Sequence, residues 1–274
     1  MLSTIHLLNI LLPILYLVAF VAYTYDFIGE ASNFTNSKRI FLFVTLFLHT
    51  VYLLFRTIEF THAPITNKFE IFTLLAFAVS FSYFILELMT DVRGTGLFII
   101  VVSFAFQTVS SIFIQDLVEV KDVLRNGLLG IHVVSAIMGY SGFTISAVYG
   151  ILFIVLYKNI RNSKFGIVFK RLPSLEILET LSFKSLLIGY VLLTIAILIG
   201  VVWLPTAFPD FKWSDPKLIS SGVVWLIYTA GITIKLKDGW YGKRVIFFSL
   251  TGFTVAISSM ILSNFLAESF HSFY

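Results

Sequence analysis

Eight stretches of the chain run for sixteen residues or more without a charged side chain: 1–25, 40–55, 71–86, 94–115, 126–157, 185–209, 218–234 and 245–267. A helix needs about 20 apolar residues to cross the hydrocarbon of a bilayer, and each run qualifies once a residue or two is allowed at its edges. The pattern predicts an all-α, polytopic membrane protein with eight transmembrane helices. Composition points the same way. The 274 residues are 58% hydrophobic and only 12% charged, with a mean hydropathy of +0.95, whereas roughly a quarter of a soluble domain is charged. So few charges cannot coat a water-soluble core, and lipid removes the need to do so. A cytosolic enzyme, a nucleic-acid module and a disordered tail are thereby excluded. The run at 126–157 is too long for one perpendicular span and predicts a tilted or projecting helix. No Lys or Arg precedes the first run, and the first positive charge is Lys38, so it reads as a span and not a signal peptide. One membrane domain over 1–274 is expected.

Orientation follows from the basic residues of the loops. One alternating set of loops holds thirteen Lys and Arg, among them Lys38, Arg39, Lys164, Arg171, Lys237 and Arg244; the other holds Arg56, Lys68, Lys121, Arg125, Lys212 and Lys217. The richer set should face the cytoplasm. Both termini then lie outside, together with the loop 204–217. The piece Ser174–Phe183, following Pro173, reads as a short helix on the membrane surface. The chain has no cysteine, which excludes disulfides, thiolate metal sites and a thiol nucleophile of its own.

Polar groups inside membrane helices are costly and mark function. Five histidines are the candidates: His6, His49, His62, His132 and His271. His49 falls mid-span, where hydrogen bonding to a neighbouring helix is its ordinary use. His132, at the start of the fifth span, and His271, beyond the eighth, bracket the external loop Leu204–Lys217. That loop is aromatic, with Phe208, Phe211 and Trp213, and Trp203 precedes it. Two imidazoles can supply both axial bonds to a haem iron while rings pack on the macrocycle. Lys212, Lys217 or Arg125 could pair with the propionates. Against this, interfacial histidines and aromatics are commonly just membrane-belt residues. Glu70 and Glu87, near the ends of the third run, read as interfacial carboxylates that snorkel. Gln107 and Asn264 read as interhelical hydrogen-bond groups, and Gly127, Gly130, Gly139 and Gly142 as sites of close helix approach.

An ordered series of segments resembles the cytochrome c assembly family, haem-handling membrane proteins of cytochrome c maturation. The series comprises Ala63-Pro-Ile-Thr-Asn-Lys-Phe-Glu70, Leu129-Gly-Ile-His132 followed by Gly139-Tyr140, and Leu172-Pro-Ser-Leu-Glu-Ile-Leu-Glu179. It continues through Gly189–Trp203, Asp215-Pro-Lys217, Trp225-Leu-Ile-Tyr228, Gly239-Trp-Tyr-Gly-Lys-Arg244 and the closing His271-Ser-Phe-Tyr274. The resemblance covers roughly 60–274.

The resemblance implies that His132 and His271 ligate the iron of haem b, bound transiently, and that 203–217, with Asp215, forms the haem platform. It implies apocytochrome c and other maturation membrane proteins as partners, and a place in the bacterial cytoplasmic membrane. Enzyme activity would belong to a synthase complex, since this chain lacks the thiols. The sequence departs from the family where Phe208, Lys212 and Ser214 stand for tryptophans, where Leu218 stands for a glutamate, and at Thr233, where synthases of the family carry a histidine. Such a weakened loop is similar to a HemX-type branch, which implies an alternative role in regulating haem biosynthesis through glutamyl-tRNA reductase. A structural or transport protein that has lost haem is a third expectation, because fold alone does not carry activity.

Overall fold

The computed structural model describes residues 1–29, 35–116, 126–207 and 212–265, which fold into helices with no strand among them. In chain order these are α1 (Leu2–Ile28), α2 (Thr35–Phe60), α3 (Lys68–Thr90), α4 (Gly96–Phe113), α5 (Gly127–Arg161), α6 (Ile167–Arg171), α7 (Leu175–Ala207), α8 (Pro216–Asp238) and α9 (Lys243–Phe265). Seven of them, α1 to α5, α7 and α8, are long and apolar enough to cross a membrane. The eighth uncharged run forms the 23-residue α9. The chain is a polytopic all-α membrane protein. The long fifth run forms a single helix of 35 residues, about 50 Å at 1.5 Å per residue, well beyond the hydrocarbon thickness. The surface helix expected at 174–183 is corrected: those residues open α7 and run straight into the span, and the short helix in this connection is the five-residue α6.

The helices form two compact units, one of residues 1–125 and 159–173, the other of 126–158 and 174–274. In the first, α1 packs on α2 and α4, and α3 on α2 and α4. Its middle is held by polar side chains rather than by leucines alone. Tyr16 Oη lies 3.0 Å from His49 Nδ1 and 2.9 Å from Ser80 Oγ, His49 Nε2 lies 3.0 Å from Thr73 Oγ1, and Thr73 donates to Gln107 Oε1 at 2.7 Å. Because Thr73 spends its only proton on Gln107, His49 must donate from Nε2 and accept from Tyr16 at Nδ1. Each of these four side chains, Tyr16, His49, Thr73 and Gln107, thereby finds a partner on another helix, which lipid could not supply. His49 and Gln107 thus have the interhelical role expected of them. The Asn264 side chain lies outside the described residues.

In the second unit α7 packs on α8 and α9, and α8 on α9. Its core gathers Phe143, Leu186, Leu193, Val224, Tyr228, Ile232 and Ala256, with Phe143 and Tyr228 stacked at 4.2 Å between ring centroids. Here α5 meets α7 along a run of small residues. A methyl group at Gly142 would stand 2.8 Å from Gly189 Cα, and one at Gly189 would stand 2.7 Å from the Gly139 carbonyl. Gly139 and Gly142 therefore permit backbone-to-backbone approach as expected. Gly127 and Gly130 do not: added methyls there would meet nothing within 4 Å.

Candidate functional site

His132 stands one and a half turns into α5, and α7 shapes its seat. The imidazole is half-buried, with Nδ1 2.7 Å from the carbonyl oxygen of Ala196. A carbonyl only accepts, so Nδ1 carries the proton, and the neutral ring keeps its lone pair on Nε2. Among the described residues Nε2 makes no hydrogen bond. Gly200, one turn beyond Ala196 on α7, faces the ring: a methyl there would stand 2.9 Å from Cε1. Trp203, half-buried, follows three residues later on the same face of α7.

Beyond the span, Asp215 is buried and caps α8. Its side chain accepts from the backbone N–H of Lys217 at 2.8 Å, and Pro216 occupies the first helical position. Asp-Pro-Lys is thus a helix start, with a capping carboxylate and a proline whose missing N–H costs nothing there. Lys212 is exposed, Lys217 is half-buried, and Trp213 is 63% exposed. Among the described residues, the His132 ring bonds the Ala196 carbonyl, and no ring contact or ion pair joins it to Trp203, Lys212, Trp213 or Lys217. Arg125, Phe208, Phe211 and His271 lie outside the described residues. The structure therefore gives one histidine of the expected pair, the root of the aromatic loop and its exit. A cavity of about 630 Å³ in this unit is lined by Phe153, Tyr157, Glu179, Tyr241 and Lys243, among others. It opens more than twenty residues further along α5, a long way from His132.

The first unit holds two charged clusters that sequence reading missed. At one end Arg56, 2% exposed, donates to Glu70 from Nε and Nη2 at 3.1 and 2.8 Å and to Asp116 from Nη1 at 2.8 Å. Glu70 also accepts from the Thr66 N–H and hydroxyl, both at 2.7 Å, while Asn67 caps α3 by accepting from Phe69 N and Glu70 N. The Thr-Asn-x-x-Glu segment is therefore a helix cap fused to an ion pair. His6 Nε2 lies 2.8 Å from Asp116. Burial opposes ionisation of Asp116, but hydrogen bonds from His6 and Arg56 outweigh it and hold the carboxyl below its ordinary value. At the other end Lys38, 1% exposed, donates to Asp26 at 2.7 Å and lies 3.6 Å from Glu87, which accepts from Tyr23 Oη at 2.5 Å. Arg39 bonds Asp91.

The expectation that Glu70 and Glu87 snorkel is overturned. They are 0% and 1% exposed and face cations on α2. Both charges of each pair sat in view at opposite ends of adjacent spans, but only the fold shows that they meet. His62 is also buried, stacked on Phe60, with Nδ1 2.9 Å from the Ala63 carbonyl.

The chain is similar to the cytochrome c biogenesis protein CcsA of Prochlorococcus marinus (strain MIT 9301), 28% identical over 253 residues that cover 82% of this chain and 81% of the relative. It is likewise similar to CcsA of Guillardia theta, 28% identical with 82% and 81% coverage, and to CcsA of Mesostigma viride, 23% identical with 89% and 90% coverage. The family model described as cytochrome C assembly protein matches residues 65–271, from the capped start of α3 through both candidate histidines, and the chain belongs to that family.

Proposed function

We propose that this protein handles haem in cytochrome c biogenesis, holding haem b outside the membrane between His132 and His271 for attachment to an apocytochrome. The observation that carries this reading is the seat of His132. Its Nδ1–H is engaged by the Ala196 carbonyl, and Nε2 is left as the basic nitrogen that an iron ligand requires. Trp203, with Phe208, Phe211 and Trp213, supplies rings for the macrocycle faces, and Lys212, Lys217 and Arg125 supply cations for the propionates. Asp215, as the cap of α8, fixes where the loop re-enters the membrane.

Haem is the substrate. Attachment adds a thiol across each vinyl group: an S–H bond and a C=C π bond give way to C–S and C–H bonds, with no net redox change. The thiols come from the apocytochrome, because this chain has no cysteine. Its own residues bind and orient haem, and other maturation membrane proteins complete any synthase. The relatives described above are biogenesis proteins, and none lends support to the HemX-type regulatory reading.

Absorption spectra of the detergent-purified protein test the reading, as isolated and after haem addition. A low-spin bis-imidazole spectrum is expected, lost or converted in both His132→Ala and His271→Ala. Binding indifferent to both substitutions would sink the site.

A further inference from the structure

The seat of His132 is the outer end of a longer construction. As the residue number on α5 falls from 146 to 132, its partner on α7 rises from 182 to 200. Ser146 Oγ lies 3.1 Å from Ser182 Oγ; Gly142 faces Ser185 and Gly189; Gly139 faces Gly189 and Leu193; and His132 faces Ala196 and Gly200. The two helices run antiparallel with small residues keeping their backbones close. His132 is the large ring placed where that seam ends. A Cβ at Gly200 would stand 2.9 Å from Cε1 and 3.1 Å from Nδ1. The imidazole therefore lies directly over the Gly200 backbone, in room that a side chain at 200 would take by displacing the ring, while Nδ1–H reaches the carbonyl of Ala196.

We propose that Gly200 is a positioning residue for the iron ligand: it admits the His132 ring against the α7 backbone, and the Ala196 carbonyl it thereby exposes selects Nε2 for iron and strengthens it as a donor. This rests on the reading of His132 as a haem ligand. A histidine whose N–H is held by a carbonyl is more basic at its other nitrogen, and loss of such a partner costs 10–100-fold in metal affinity. A stronger imidazole donor favours ferric over ferrous iron, so the same hydrogen bond lowers the reduction potential. The spacing His132 to Ala196 to Gly200 thus ties the redox poise of the presented haem to a helix seam.

Three measurements on the full-length protein test this. First, nitrogen NMR of the haem-free, histidine-labelled protein should show His132 as the Nδ1–H tautomer. Second, Gly200→Ala should bind haem about 10- to 100-fold more weakly and with a more positive potential, yet keep its dependence on His271. Third, in His132→Gly, added imidazole should restore the low-spin spectrum. 1-Methylimidazole, which ligates but has no N–H to give Ala196, should do so with lower affinity and a more positive potential. Equal affinity and potential in Gly200→Ala and wild type, or equivalent rescue by the two imidazoles, would overturn the positioning role while leaving the ligand intact. If His132→Ala keeps the wild-type haem spectrum, the ligand reading falls and this inference falls with it. Should Gly200→Ala not fold, the tautomer and the two rescues decide.

Discussion

At the residue scale, Arg56 and His132 use their polar atoms in opposite ways. Arg56 is fully engaged inside the fold, with donors committed to Glu70, Asp116 and the carbonyl of Gln115. Removing one member of a buried pair strands the other, which costs about 3–5 kcal/mol, whereas replacing both with apolar groups is often neutral. Arg56→Ala should therefore destabilise the protein by about that amount, read as the unfolding midpoint in detergent. Arg56→Met combined with Glu70→Leu should recover most of the loss. A double variant as unstable as the single one would show that Glu70 contributes through Thr66 and the α3 cap rather than through charge. His132 is half partnered: one nitrogen is fixed by the Ala196 carbonyl, and the other lacks a partner among the described residues.

Elements differ in what their glycines do, and sequence does not separate the cases. Gly142 and Gly222 are both interior helix glycines, on α5 and α8. A methyl at Gly142 would meet the backbone of Gly189 and Ser185 at 2.8 Å, and neither can step aside, while one at Gly222 would meet nothing within 4 Å. Gly142→Ala should lower the unfolding midpoint by forcing α5 from α7. Gly222→Ala should be neutral or gain about 0.5–1 kcal/mol, because alanine gives up less backbone freedom. Equal effects would mean that the seam is not closely packed. Seven of the eight expected spans appear as helices long and apolar enough to cross a membrane, because the absence of charge over a membrane thickness is a local property of the chain. Partners across helices were not. Nothing local tells Gly130, which faces open space, from Gly139, or says that Glu87 turns inward toward Lys38. The surface helix expected at 174–183 shows the same limit: Pro173 and the early Glu176 mark a helix start but not how far the helix runs, and α7 continues to Ala207 with Glu179 taken up by the Gly242 N–H at 2.7 Å.

For the whole molecule, orientation decides whether His132 can meet a substrate outside the membrane, and it rests on the excess of thirteen basic residues over six between the two sets of loops. The ends of α8 offer a direct check. Ser214 precedes its cap and Asp238 closes it, both exposed. The span between them is 23 residues long, about 35 Å, enough to put them on opposite faces of a bilayer. Because the chain has no cysteine, a single introduced thiol is the only one present. In intact cells or right-side-out vesicles, a membrane-impermeant maleimide should label Ser214→Cys at once and Asp238→Cys only after permeabilisation. Haem presented beside Trp213 would then be open to thiols of an exported apocytochrome, while Lys235 and Lys237 face the cytoplasm at the far end of the same helix, next to Lys243 and Arg244 at the start of α9. The opposite labelling pattern would place the aromatic loop inside the cell and remove the basis for haem attachment there, whatever the chemistry of His132.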